Sequence, residues 1–555
     1  MGNNREKGVE QEVRGWTRRG FIGMSAAALA GASLGMIGCS AEEKGGASQA
    51  AASPGAEEWA GEADVVVMGF GGAGACAALE AARQGSSVKV YEKAPQEYAG
   101  GNSTVCEGAG FLVSDDTEGA FETLRFFLSS SVSDDEIYGH IEAEQGLVEW
   151  LNDAAGLGIE PVEIPTPYVF GNVDVSRGYG GGEFVSAPTF HMAVSNAVKK
   201  EPGVEVAYES PVVGLVFDPE TKEVHGVRVQ NADGTVSNIK ANKAVIMACG
   251  SFEYNRKMLE DCVMDPLPEI YPMGTPYNTG DGIPLAQEVG AYIRHTSGVE
   301  FGAHCVRPAS EEFGTAIAMA NSMEDMNNLI AVNKFGKRFM NETAYTQLSP
   351  EHPHPAHEKG SVPALEYDGI NFEYPNLPYW FVFDETRRAA GAIASWTNEK
   401  SAGSWSGKYD VYTWSDDNLS EIDKGWIVQA DTIEELAEKI GVDAETLAET
   451  IAEYNSACAA QDGDAFGRSK SLTPVEQGPF YAVEMTMAFI NTQGGPARDG
   501  KFRVLNHDDE VIPRLYAVGE FGSMWSSLYH GGQNVPEAMC AYAAGADAAS
   551  LDGWG

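Results

Sequence analysis

The stretch from Ala63 to Lys93, ADVVVMGFGGAGACAALEAARQGSSVKVYEK, limits what this chain can fold into more than any other. A short apolar strand, Val65 to Met68, runs into Gly69-Phe70-Gly71-Gly72-Ala73-Gly74, and an Ala-rich helix follows. A second strand, Val88 to Tyr91, ends at Glu92. Glycine is frequent here, 64 of 555 residues, so a G-x-G-x-x-G match alone says little. Strand, glycines, helix, strand and terminal acid within one unit of about 30 residues say much more. Gly69 permits the tight turn, Gly71 lets backbone approach a pyrophosphate, and Gly74 lets the helix lie close to the sheet. The helix N-terminus offers unpaired N–H groups and the positive end of its dipole to phosphates. Glu92 can accept hydrogen bonds from a ribose diol. The unit predicts that the chain binds an ADP-containing dinucleotide.

What precedes the unit reads as targeting rather than fold. Thr17-Arg18-Arg19-Gly20-Phe21-Ile22 is a twin-arginine pattern, followed by an uncharged, mildly apolar run from Gly20 to Gly38. That run predicts an export signal, not a stable membrane span. Met36-Ile37-Gly38-Cys39 resembles a lipobox that would place a lipid on Cys39 and so attach the protein to a membrane; a cleaved signal with an incidental cysteine is the alternative. Ser40 to Trp59, rich in Ala, Gly, Ser and Glu, reads as a flexible tether. The remainder is too long for one compact core and implies at least two domains.

The formal net charge of −44, from 81 acidic and 37 basic side chains, argues against nucleic acid and against adhesion to an anionic membrane. Beyond Cys39 the cysteines stand at 76, 106, 249, 262, 305, 458 and 540, with no C-x-x-C or C-x-x-C-H pair. No haem, zinc knuckle or iron–sulfur cluster is therefore expected. Glu351-His352-Pro353-His354-Pro355-Ala356-His357-Glu358 reads as a surface loop, since the prolines hold the imidazoles apart, and no metal is expected.

Further along, Gly100-Gly101-Asn102-Ser103-Thr104 and Glu107-Gly108-Ala109-Gly110 could lay backbone against a flat ring or a diphosphate, or be turns. Helices are expected over Asp134 to Leu157 and Ala187 to Lys200. Strands are expected over 204–208, 212–217, 224–230 and 236–239. Lys243 to Gly250 reads as a buried parallel strand ending in glycine against a cofactor. Asn278-Thr279-Gly280-Asp281-Gly282 opens a helix. From about Met326 to Gly478 aromatics and prolines become frequent, with helices over 432–439 and 443–459. Phe489 to Pro496 returns to glycine-rich sequence, and the end reads strand, Gly519-Glu520, loop, then helix from Val535 to Leu551.

Together these pieces resemble the FAD-dependent fumarate reductase and flavocytochrome c flavin-subunit family, with 3-ketosteroid dehydrogenases as relatives. The matching segments are GFGGAG with Glu92, AGGNS (99–103), AVIMACGSFE (244–253), NTGDGI (278–283), VNKFGKRFMNE (332–342), FVFDETRR (381–388), TQGGP (492–496) and LYAVGE…GGQN (515–534). The resemblance implies an α/β fold: a Rossmann-like FAD-binding domain, 62–325 plus 490–555, interrupted by an α+β capping domain, 326–489. Residues 1–39 would be the signal and 40–61 the linker. It implies FAD contacts from Gly69, Gly71, Gly72, Ala73, Gly74, Glu92, Lys93, Gly101, Asn102, Ser103, Gly108, Gly110, Ala248, Gly250, Asp281, Gly519, Glu520, Asn534 and Val535.

The chemistry implied is hydride transfer from flavin N5 to an electron-poor C=C bond, with a proton delivered from the opposite face. Arg388, or else Arg387, stands where the family carries its arginine acid, and Glu342 is a candidate to relay protons to it. The departures narrow the substrate. His530, preceded by Tyr529, replaces the arginine that clamps a substrate carboxylate, and Asn491 replaces a histidine. No counterpart of a second substrate histidine is apparent upstream of Asn333. Losing a bidentate carboxylate fork disfavours fumarate. Tyr529 and His530 suit a carbonyl, a phenol or a single carboxylate, and either could be the proton donor. The expectation is an exported terminal reductase of a small-molecule electron acceptor in anaerobic respiration, drawing electrons from a separate cytochrome or flavoprotein. The alternatives are a ketosteroid-type dehydrogenase running in reverse, or a flavin electron-relay protein.

Overall fold

The computed structural model describes residues 58–106, 112–160, 169–170, 173–174, 187–319, 326–343, 363–395, 404–526 and 534–554. Gly108, Gly110, Tyr529, His530, the 351–358 histidine segment and everything before Glu58 lie outside the described residues. In chain order, the elements that position the site begin with β1 (Trp59–Met68), α1 (Gly72–Arg83) and β2 (Val88–Tyr91). Then come α2 (Asp134–Gln145), α3 (Leu147–Ala155), α4 (Ala187–Val198), β3 (Val204–Ala207), β4 (Val212–Asp218), β5 (Glu223–Gln230) and β6 (Val236–Met247). They continue with α5 (Gly282–Glu288), β7 (Val299–Val306), β8 (Leu329–Val332), β9 (Tyr379–Asp384), α6 (Glu385–Ala390) and β10 (Ile427–Ala430). The last are α7 (Ile433–Ile440), α8 (Ala444–Ala460), β11 (Phe480–Thr492), β12 (Arg503–Leu505), β13 (Val511–Ala517), α9 (Asn534–Met539) and α10 (Ala541–Ser550).

The first sheet has eight strands, with the spatial order β12-β13-β6-β1-β2-β3 and the β4–β5 hairpin attached to β6. The strands β13, β6, β1, β2 and β3 run parallel, each to its neighbour. β1 and β6 lie at its centre, where Val65, Val66, Val67, Val245 and Ile246 are fully buried. That is why these strands read as continuous apolar runs rather than alternating ones. β6 is one strand where two were expected. Lys240 and Ala241 keep the ladder going against Glu62 and Ala63, so the polar 240–243 segment never leaves the sheet.

α1 is buried from Gly72 to Ala82, apolar on all sides because elements cover all sides. Its alanines and glycines allow close approach. A Cβ on Gly74 would sit 2.1 Å from the Gly69 carbonyl oxygen, and one on Gly545 of α10 would sit 2.3 Å from that of Ala77. The expected 134–157 helix is broken at Gly146 into α2 and α3, where the Tyr542 hydroxyl occupies the space a Cβ would take.

The second sheet is six-stranded and centred on β11. The first half of β11 pairs antiparallel with β9 and β10, and its second half pairs with β7 from Val306↔Met485 to Val299↔Thr492. One 13-residue strand thus runs from the 326–489 region into the glycine-rich 492–496 segment. There the Thr492 hydroxyl accepts the Phe252 N–H at 2.9 Å, fastening it to the loop that follows β6. α7 and α8 pack behind this sheet through Leu436, Leu447 and Ile451. Gly545→Ala is expected to destabilise the protein by about 1–3 kcal/mol through overpacking against α1, measured by denaturant unfolding. A stability equal to the parent protein would show that the α1–α10 contact relaxes without cost.

Candidate functional site

The carboxyl ends of β1, β2 and β6 converge on the N-terminus of α1, as a doubly wound sheet requires for a ligand crevice. Gly71 caps α1 with no side-chain hydrogen bond and no acid in the first turn, which leaves the positive end of its dipole and the N–H groups just after Gly72 available to an anion. A Cβ on Gly71 would meet nothing nearer than the Gly100 carbonyl oxygen at 3.6 Å, which leaves the backbone approachable. Gly72 N–H donates to Ser103 Oγ at 3.0 Å, bringing the Gly101-Asn102-Ser103 turn against the fingerprint. Glu92 is buried, with its oxygens accepting from Phe70 N–H at 2.8 Å and Ala94 N–H at 2.7 Å. Those bonds fix the carboxylate, and each oxygen keeps a further lone pair for a ribose hydroxyl.

Lys93 and Asp281, expected as separate cofactor contacts, form an ion pair with each other, and Lys93 also reaches Thr279 Oγ1 at 2.6 Å. Their joint role is to tie the loop after β2 to the N-terminus of α5. Gly519 has φ +68°, and a Cβ there would lie 2.6 Å from that of Ala73, so β13 ends hard against the start of α1. Asn534 and Val535 open α9 beside Glu520.

Between Gly250 and Glu520 lies a polar cluster that joins the expected FAD contacts Asn102 and Glu520 to Ser251, Glu253 and Asn278, which the sequence did not single out. Glu253 Oε1 accepts from the amides of Asn102 and Asn278, both at 2.8 Å. Ser251 Oγ lies 2.5 Å from Glu253 Oε2 and 2.8 Å from Glu520 Oε2, and Asn278 donates to it at 3.2 Å. Burial raises the pKa of both carboxyls, and the charge of Glu253 raises that of Glu520 further. These residues sat inside the recognised segments GSFE and NTGDG. The signal for Ser251 and Glu253 was a serine and an acid shortly after a buried strand. Gln493 is buried and donates to Asn491 Oδ1 at 3.2 Å, while its Oε1 has no partner among the described residues and could accept a ring N–H. The open α1 terminus, the fixed Glu92 carboxylate and this unpartnered acceptor together fit an ADP-linked flavin.

The structure does not join the candidate proton-handling groups. Glu342 is fully buried between Arg338 and Arg468, at 2.6 and 3.0 Å, and accepts the Ala331 N–H at 2.9 Å. Burial opposes its ionisation, but the two guanidiniums outweigh it and hold its pKa below the usual carboxylate range. Arg388, in the turn from β9 into α6, instead pairs with Glu385 and donates to the Asp417 carbonyl at 2.7 Å. The hydrogen bond to Glu385 raises its already high pKa, which makes it a poorer acid. Arg387 is buried and donates to the Gly391 and Ala392 carbonyls. The expected Glu342-to-Arg388 relay is therefore not built; Glu342 anchors β8 and the 464–471 loop through Arg338 and Arg468. Upstream of Asn333, where the sequence reading found no histidine counterpart, β7 carries fully buried His304 with Nδ1 against the Tyr379 hydroxyl. Burial lowers its pKa to about 3, so its imidazole is neutral.

Folding favours ionised Glu342, so its contribution is complete above the unfolded carboxylate pKa and lost as pH falls through the lower folded value. Glu342→Gln is expected to cost about 3–5 kcal/mol at neutral pH and to flatten the acid limb of stability against pH, read by urea unfolding. An unchanged acid limb would contradict this. Gly71→Val is expected to weaken dinucleotide binding by tenfold or more, about 1.4 kcal/mol, with thermal unfolding of the unloaded protein unchanged.

The chain matches the family described as "FAD binding domain" over residues 180–535, and that described as "FAD dependent oxidoreductase" over residues 64–250. It is 26% identical to the NADH:acrylate oxidoreductase of Vibrio harveyi, over 82% of this chain and 47% of that protein, so it spans about half that relative's length. It is 26% identical to the digoxin reductase of Eggerthella lenta, over 89% of this chain and 88% of the reductase. Its fold resembles the crystal structure of 3-ketosteroid delta1-dehydrogenase from Sterolibacterium denitrificans, with a TM-score of 0.66 and 20% identity, over 88% of this chain and 99% of that one. With the fingerprint, the fixed Glu92 and the crevice in place, the chain belongs to the FAD binding domain family, and it is an oxidoreductase with FAD as its cofactor.

Proposed function

We propose that this protein reduces an activated C=C bond in an α,β-unsaturated acid or enone of at most one negative charge. The observation that carries this reading is how the buried guanidiniums are spent. Arg294 pairs with Glu136, Arg498 with Glu136 and Glu537, and Arg338 and Arg468 with Glu342, while Arg387 serves carbonyls. A dicarboxylate needs a free fork of this kind, and among the described residues each of these is committed. Two relatives are named for acrylate and digoxin, with one carboxylate or none, while others are named for fumarate; the committed guanidiniums favour the first kind.

Bound FAD would supply the hydride, from N5 to the carbon β to the activating group. The fingerprint and Glu92 would hold its ADP half, and Asn102, Glu253, Asn491 and Gln493 would lie against its ring. Tyr529 or His530 delivers the proton, a reading supported by the tight Arg388–Glu385 pair. The domain division at 326 and 490 belongs to the same reading, with Ile490 to Thr492 carrying β11 out of the cap and into the flavin wall. The twin-arginine segment and Cys39 support an exported, lipid-attached protein. A separate cytochrome or flavoprotein would supply electrons for respiration on the substrate.

The test is anaerobic: purified protein, reduced viologen, and a panel of unsaturated acids and enones with fumarate included. Turnover of monoacids or enones, with little on fumarate, is expected. Oxidation of reduced viologen by bound FAD with no panel member consumed would sink the reading, and oxidation of a saturated ketone with an artificial acceptor would reverse its direction. Removing the acid, by Tyr529→Phe or His530→Asn, is expected to lower kcat about 10²–10⁴-fold in one variant. Arg388→Ala should cost far less at equal FAD content.

A further inference from the structure

Ser251 has one hydroxyl hydrogen and two carboxyl oxygens within hydrogen-bond distance, Glu253 Oε2 at 2.5 Å and Glu520 Oε2 at 2.8 Å. It can donate to only one of them. Two ionised carboxylates on one hydroxyl would leave the second oxygen facing lone pairs with no hydrogen between. We propose that Glu253, Ser251 and Glu520 share one additional proton and form a proton wire into the FAD site, with the proton resting on Glu520.

The placement follows from the remaining partners. Glu253 is 1% exposed, and its Oε1 accepts two amide N–H groups, from Asn102 and Asn278, which favour its ionised form. Glu520 receives one longer bond, from Asn534 at 3.3 Å, together with the Asn491 amide, and has Glu253 and Glu300 as acidic neighbours. Asn278 donates to Ser251 Oγ at 3.2 Å, so that hydroxyl is already turned to accept on one side. The chain therefore runs Glu520 O–H to Ser251 Oγ, and Ser251 O–H to Glu253 carboxylate. Reversing it moves the Glu520 hydrogen onto Ser251 while the Ser251 hydrogen passes to Glu253, so nothing is created or lost. Burial pushes both carboxyls towards the protonated form, and the charge of Glu253 pushes Glu520 further, in keeping with this count. Gly274 makes room for the arrangement, since a Cβ there would lie 2.5 Å from both Asn102 Oδ1 and Glu253 Oε1.

The wire would couple proton uptake to electron uptake. Electrons from an external reductant add negative charge beside the pair. The ionised member then gains a proton from solvent, so the site takes up one proton more than the cofactor alone. This rests on FAD occupying the site described above, but not on which alkene is reduced.

Infrared spectra of the FAD-loaded protein at neutral pH are expected to show a protonated-carboxyl band that shifts in D2O and disappears in Glu520→Gln. The absence of such a band in the parent protein would overturn the proposal, as would a band unchanged in both Glu520→Gln and Glu253→Gln. Spectroelectrochemical titration with dithionite supplies a second readout. The midpoint potential of the parent protein should fall with pH more steeply than that of Ser251→Ala, by one proton per electron pair. Equal slopes at equal flavin content would rule the wire out. Loss of flavin absorbance in the parent protein would instead sink the cofactor assignment, and failure of the alkene panel would leave both proton readouts standing.

Discussion

The closeness with which α1 lies between the first sheet and α10 governs the rest of the molecule. Gly74 touches the Gly69 carbonyl on one side of the helix, and Gly545 touches Ala77 on the other. Ordinary side chains at either place would push the helix out and turn its open N-terminus away from the crevice. Because the helix is pinned there, Glu92 at the end of β2 and Gly519 at the end of β13 fall on the same rim. Much of the candidate cofactor site follows from that one packing distance.

The second constraint is how the molecule disposes of buried charge. Glu136, Arg294, Arg498 and Glu537 form one closed set beneath the C-terminal part of the site, and Glu537 also accepts Met524 N–H and Ser523 Oγ. Glu342, Asp464, Arg338 and Arg468 form another behind the second sheet. Each set has its acids and bases matched, which buried ions require. The polar cluster at Ser251 is different, holding carboxyls with no cation paired to them among the described residues. On the proposed count, one shared proton rather than a cation offsets the charge there.

Much of this was legible in the chain. The βαβ unit, the second strand to its final residue and the helices α7 and α8 follow directly from apolar spacing and caps such as Thr432 and Asp443. Less legible were the breaks. At Gly146, where the helix breaks, the Tyr542 hydroxyl from far along the chain fills the space a side chain would need, and β6 continues through a polar segment because β1 pairs with it there. Local pattern carries no trace of either partner.

The sequence by itself determined the cofactor's anchor, because phosphate binding at a helix N-terminus needs only local geometry and small residues in order. It also supplied the identities of Arg388, Glu342 and Glu520. Only the tertiary structure decided their roles, because a charged side chain's function depends on which partner reaches it. Glu342 went to Arg338 and Arg468, Arg388 to Glu385, and Glu520 to a serine that already serves another acid. Those pairings come from segments up to 269 residues apart, and no spacing rule along the chain encodes them.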